Sequence, residues 1–111
     1  MSGQNNSFQI RMKSIGITLR EIREAKELLL REVAASISID PTLLSKIERD
    51  ERMPTKQQIM SLANYFKKES KEIFLAFLSD KVFYELKDED LAIDALQIAE
   101  KKIKYLNQKK K

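Results

Sequence analysis

The chain contains no cysteine and no histidine. Their absence removes disulfide scaffolds, Cys/His zinc sites, thiol nucleophiles and imidazole acid–base chemistry. Catalysis would be left to carboxylates or a Ser-Lys pair, and no spacing singles out either. The reading is a non-enzyme, with no cofactor and no metal. Glycine and proline are scarce, two of each in 111 residues. So few breakers predict an all-α chain with short turns. No run approaches the roughly 18 uncharged apolar residues that a membrane span requires. Residues 1–14 are polar, lack the apolar stretch of a signal peptide and read as a disordered leader. The expectation is a soluble cytoplasmic protein without a membrane partner.

What the chain does have is enough apolar content for a core, 42% of residues, and an uneven charge. The net charge of +4 comes from 21 basic and 17 acidic residues. Residues 1–69 carry 12 Lys/Arg against 9 Asp/Glu, residues 70–100 carry 3 against 8, and residues 101–111 carry 6 Lys and no acid. The middle stretch is therefore unsuited to a polyanion, and the distribution says more than the sum.

Periodicity places six helices. Leu19, Ile22 and Ala25 recur at helical steps from Ile17 to Leu28, and Thr18 with Glu21 has capping-box spacing. A short helix from about Arg31 to Ile37 turns Val33, Ala34 and Ile37 inward. Asp40 is a good N-cap, and Pro41 a good first residue of a third helix running to about Arg49, with Leu44 and Ile47 inward. Thr55 caps a fourth, carrying Ile59, Leu62, Ala63 and Phe66. Ser70 caps a fifth, carrying Ile73, Phe74, Phe77 and Leu78. Lys81 to Leu86 adds an apolar cluster, and Asp88 is the expected cap of a last helix from about Glu89 to Asn107.

A short helix, a turn and a second short helix opened by Asp40-Pro41 make a helix-turn-helix unit from about Val33 to Arg49. The surrounding residues sharpen this. Leu-Arg-Glu-Ile-Arg-Glu-Ala-Lys (19–26), Glu-Val-Ala (32–34), Leu-Leu-Ser-Lys-Ile-Glu-Arg (43–49) and Met-Pro-Thr (53–55) together resemble the Cro/C1-type, or XRE, family of bacterial and phage repressors. The resemblance runs from about Ile17 to Leu78. It implies an all-α fold: a five-helix, lambda-repressor-like DNA-binding module over 15–79, with an extra C-terminal helix over 80–108 and a basic tail at 109–111.

The same resemblance implies roles. The helix from Pro41 to Glu48 would read double-stranded DNA, with Pro41, Thr42 and Lys46 at base edges and Ser45 on the same face. Lys46 can donate to guanine, and the Thr42 methyl can meet a thymine methyl. Arg49 would meet phosphate, and Arg31, Arg52 and Lys56 are further phosphate contacts. Glu48 reads as structural, paired with Arg20 or Arg23. Leu30 stands where the family usually carries a phosphate-binding Gln, so Arg31 would replace that contact. Glu27, Ser38 and Asp50 stand where Gly is common, so the turn at Ser38 must accommodate a side chain.

After the module, Ala92, Leu96, Ala99, Ile103 and Leu106 follow a 4-3-4-3 spacing, a seam of a and d positions. Two readings stand. The seam builds a homodimer, or the helix folds back over Phe77, Val82 and Phe83. The functional expectation is a nucleoid-associated transcription regulator, a homodimer on a palindromic operator, autoregulated through its own concentration. The alternative is an antitoxin or docking module whose stretch from Ser70 to Glu100 meets a protein partner, a toxin or polymerase.

Overall fold

The computed structural model describes residues 12–110 and is helical in each of its regular elements. The helices are α1 (Ile15–Ala25), α2 (Leu30–Ser36), α3 (Pro41–Glu48), α4 (Lys56–Phe66), α5 (Ser70–Leu86) and α6 (Ala92–Lys109). Residues 1–11 of the expected leader, and Lys111 of the basic tail, lie outside the described residues. The chain divides into two compact units, the first ending at Asp80 and the second beginning at Lys81.

The first unit is built around one apolar core. Ile15, Leu19, Val33, Ala34, Leu44, Ile47, Ile59, Leu62, Ile73 and Phe77 are all within a few per cent of full burial. They come from five helices, each giving residues to the centre. α3 packs against both α1 and α2. Ala34 is fully buried, and its small side chain permits that crossing.

Helix α1 starts earlier than the capping-box spacing suggested. Ser14, not Thr18, is its N-cap: the Ser14 hydroxyl accepts from the Ile17 N–H at 3.1 Å. Thr18 is buried inside the helix instead. Burial of Ile15 draws the helix back by one turn, and that tertiary gain outweighs the local cap. Lys13 pairs with Glu21 across the same end. Gly16 sits where α1 meets the end of α3. A Cβ there would overlap the Ile47 carbonyl oxygen and the Asp50 carboxylate.

Helices α3 and α4 begin as expected. The Asp40 carboxylate accepts from the Thr42 N–H at 2.7 Å, and Thr55 and Gln58 form a reciprocal capping box. Helix α5 differs. Its first helical bond runs from the Ile73 N–H to the Glu69 carbonyl, so Ser70 is the first helical residue rather than the cap. It continues unbroken to Leu86, because no Gly or Pro interrupts it, and so absorbs the cluster read as separate. Leu78, expected inward, is exposed.

In the second unit α6 starts at Ala92, with Leu91 at the cap position and no side-chain cap. Asp88 caps nothing; turns closed by Glu89 N–H to Leu86 O and Ala92 N–H to Glu89 O occupy that stretch. No residue of α6 is buried.

Candidate nucleic-acid interface

Helix α3 has a sharply divided surface. Leu44, Ile47 and Glu48 are buried, Ser45 is half-buried, and Pro41, Thr42, Lys46 and Arg49 are exposed. The exposed residues follow the helical period on one side, which is the side the sequence assigned to DNA. Lys46 forms no ion pair among the described residues. Arg49 donates from Nε to the Ser45 carbonyl at 3.3 Å and lies 3.2 Å from Glu51 through Nη1. Both side chains of that pair are about half exposed, so the pair is weak.

Three devices fix α3 in place. The first is the Asp40 cap, with Pro41 as the first helical residue. The second is the close approach of Gly16 to the last turn. The third is a part-buried ion pair. Arg23 on α1 donates from Nε and Nη2 to the two Glu48 oxygens, at 2.8 and 2.9 Å, and from Nη1 to the Leu28 carbonyl at 2.9 Å. The bonds to Glu48 raise the Arg23 pKa from its ordinary value against the opposing effect of burial. Of the two partners proposed for Glu48, the structure selects Arg23. Arg20 instead pairs with Glu24 on its own helix.

The ends of α1, α2 and α3 close in the same way. Leu28 N–H bonds to Arg23 O and Glu27 N–H to Glu24 O; Ile39 N–H bonds to Ala34 O and Ser38 N–H to Ala35 O; Glu51 N–H bonds to Lys46 O and Asp50 N–H to Ile47 O. Each is a Schellman motif, whose C′ residue must be left-handed. That residue is Glu27 at φ 55°, Ser38 at φ 60° and Asp50 at φ 61°. These are the three positions at which the resembling family commonly has Gly.

Beside α3 lies a hollow of about 230 Å³ lined by Arg20, Arg23, Leu30, Ser45, Glu48 and Arg49. Leu30 gives that hollow an apolar wall. Arg20 joins Arg49 in this lining, a neighbour that the period of its own helix does not reveal. Of the expected phosphate contacts, Arg31 sits in the first turn of α2, Lys56 opens α4, and Arg52 lies in the loop between α3 and α4. All three are exposed, form no ion pair among the described residues, and line no part of that hollow.

The five seam residues all lie on α6. Leu96, Ala99 and Ile103 form a groove with Val82 and Leu86, about 660 Å³ in volume, while Ala92 and Leu106 lie outside it. Among the described residues no helix is long and apolar enough to cross a membrane.

The helix-turn-helix family model matches residues 19–73. No curated protein and no solved structure matches the chain.

Proposed function

Residues 19–73 belong to the helix-turn-helix family of Cro/C1-type DNA-binding regulators, and on that premise we propose that this chain is a sequence-specific transcription regulator that binds a palindromic operator as a homodimer. One observation carries the reading. The exposed side of α3 presents Thr42, Lys46 and Arg49, while its buried side is locked to α1 by Arg23 and Glu48. A base-reading helix must keep its register on the duplex, and a rigid mount supplies that.

In this reading Thr42, Ser45 and Lys46 meet base edges and Pro41 makes an apolar contact. Arg49, with Arg20 beside it, meets phosphate. Arg31, Arg52 and Lys56 add phosphate contacts that set affinity and salt dependence. Two half-sites about 34 Å apart require two copies, and the exposed α6 seam is the surface offered for joining them.

Footprinting on the DNA upstream of the chain's own gene tests the reading, and protection of an inverted repeat is the expected result. Lys46→Ala with Arg49→Ala is expected to weaken that binding at least about 30-fold, from two contacts of 1–3 kcal/mol each. The helical circular-dichroism signal should not change. Unaltered affinity in the double variant would remove α3 from the interface.

A further inference from the structure

From residue 88 onward, charge on the second unit is sorted by sign. Residues 88–100 hold five carboxylates (Asp88, Glu89, Asp90, Asp94 and Glu100) and no Lys or Arg. Residues 101–111 hold six Lys and no carboxylate. The switch falls at Glu100–Lys101, close to Ala99 at the middle of the seam. An amphipathic helix with an exposed seam needs a partner. For a self-pair, the charge order decides the direction. Parallel helices would set acid beside acid and Lys beside Lys over the full length. Antiparallel helices set each acidic half against the basic half of the other copy, twice, about one dyad.

We propose that α6 pairs antiparallel with α6 of a second copy, seated on the groove that Val82, Leu86, Leu96, Ala99 and Ile103 line. The pairing rests on the homodimer read above and specifies how it is built. The groove is apolar and open, and its rim carries Glu85, Glu100 and Lys104, charges of both signs. Among the described residues Ile103 is 58% and Leu106 54% exposed, so this part of the seam is uncovered by them. The sorted charge is also long-range enough to orient the two copies before contact, and salt weakens that steering.

The chain has no cysteine, so one introduced thiol is a unique mark. Full-length Ala92→Cys and Leu106→Cys are prepared separately and treated with a bifunctional maleimide, without DNA. In an antiparallel pair the two marks lie at the same end of the dyad-related seam. Linked dimer is therefore expected when the two variants are mixed, and not from either alone. Linked dimer from each single variant alone means a parallel pair and overturns the proposal. A monomer in sedimentation overturns it as well, including one that captures a different protein.

A second set does not depend on the thiols. Lys104→Glu, Lys109→Glu and Lys110→Glu, at the positions that face Asp94, Glu89 and Asp88 about a dyad at Ala99, should together weaken self-association by about tenfold or more. Mixing with Asp88→Lys, Glu89→Lys and Asp94→Lys should restore it as a heterodimer. Unchanged association in both charge variants counts against the sorted charge. Operator binding through Lys46 and Arg49 is read separately. A monomer that still protects the upstream DNA sinks the pairing alone; an antiparallel dimer that protects nothing sinks the operator alone.

Discussion

Arg23 and Glu48 are joined by two hydrogen bonds, 2.8 and 2.9 Å long, that tie the first helix to the last turn of α3. Their side chains are only 14% and 5% exposed. Removing one partner leaves the other charge stranded in the interior. Glu48→Ala is therefore expected to cost about 3 kcal/mol of stability. Replacing both residues by Met should cost far less than the sum of the two single changes, because no charge is left unpaired. Urea unfolding of the two single variants and the pair gives the coupling. A coupling under about 0.5 kcal/mol would show that the two residues act independently.

Gly16→Ala should destabilise although it improves helix propensity. In an open helix the change gains about 1 kcal/mol. Here the new methyl meets a backbone oxygen of α3, which cannot swing aside as a long side chain would. The expected net loss is about 1–3 kcal/mol, as for overpacking elsewhere. Thermal unfolding checks it, and a gain in melting temperature would mean that α1 and α3 part easily at this contact.

Ser38→Gly should stabilise. Ser38 is exposed, left-handed at φ 60°, and makes no side-chain hydrogen bond that the change would remove. An L side chain in that region costs about 1–2 kcal/mol, and glycine's freer unfolded chain returns part of it. A net gain of about 0.5–1 kcal/mol is expected, with the same sign for Glu27→Gly. Asp50→Gly should gain less, since the Asp50 carboxylate accepts from the Ser14 hydroxyl at 2.7 Å. Ranking the three by urea midpoint separates backbone strain from side-chain contact.

These cases show what a sequence carries and what it does not. The Asp40 and Thr55 caps were legible because each is settled within three residues of chain. The true start of α1 was not. Thr18 and Glu21 have the spacing of a box, and the deciding event is burial of Ile15 against distant helices. Gly16 carries no signal at all in sequence, because its constraint comes from the end of α3. That Lys81 to Leu86 continues helix α5 was not legible, because the apolar pattern broadens after Leu78 and loses its period. In the interface, the exposed side of α3 followed from helical period. The company of Arg20 and Arg49 in one hollow needed two helices in place.

Asp80 supplies a pH-dependent test. Its Oδ2 accepts from the Ile15 N–H at 2.9 Å, at the start of α1. Burial raises its pKa, the Ile15 N–H opposes this, and Asp50 nearby adds to the rise. A carboxyl with a raised native pKa holds its proton better folded than unfolded. Its contribution is thus full below the unfolded carboxyl range and lost as pH rises through the native pKa. Asp80→Asn keeps an acceptor without the charge. Its stability relative to the parent should therefore improve as pH rises from about 3 to 7. A difference that stays flat across that span, read from urea midpoints, would mean that Asp80 ionises as freely in the fold as in the open chain.

The contacts assigned to phosphate and to bases should separate by salt. Each phosphate contact releases counterions, so the slope of log K against log salt counts them. Arg31→Ala, Arg52→Ala and Lys56→Ala should each reduce that slope by about 1, and weaken operator and unrelated DNA alike. Thr42→Ala should leave the slope unchanged and lower only the preference for the operator, by about 1–3 kcal/mol at one base step. Ser45, half-buried beside Arg49, also carries no charge, so Ser45→Ala should leave the slope unchanged as Thr42→Ala does. Fluorescence anisotropy at several salt concentrations gives both quantities at once. If Thr42→Ala changed the slope and Arg31→Ala changed the preference, the duplex would lie on a different side of α3 from the one proposed.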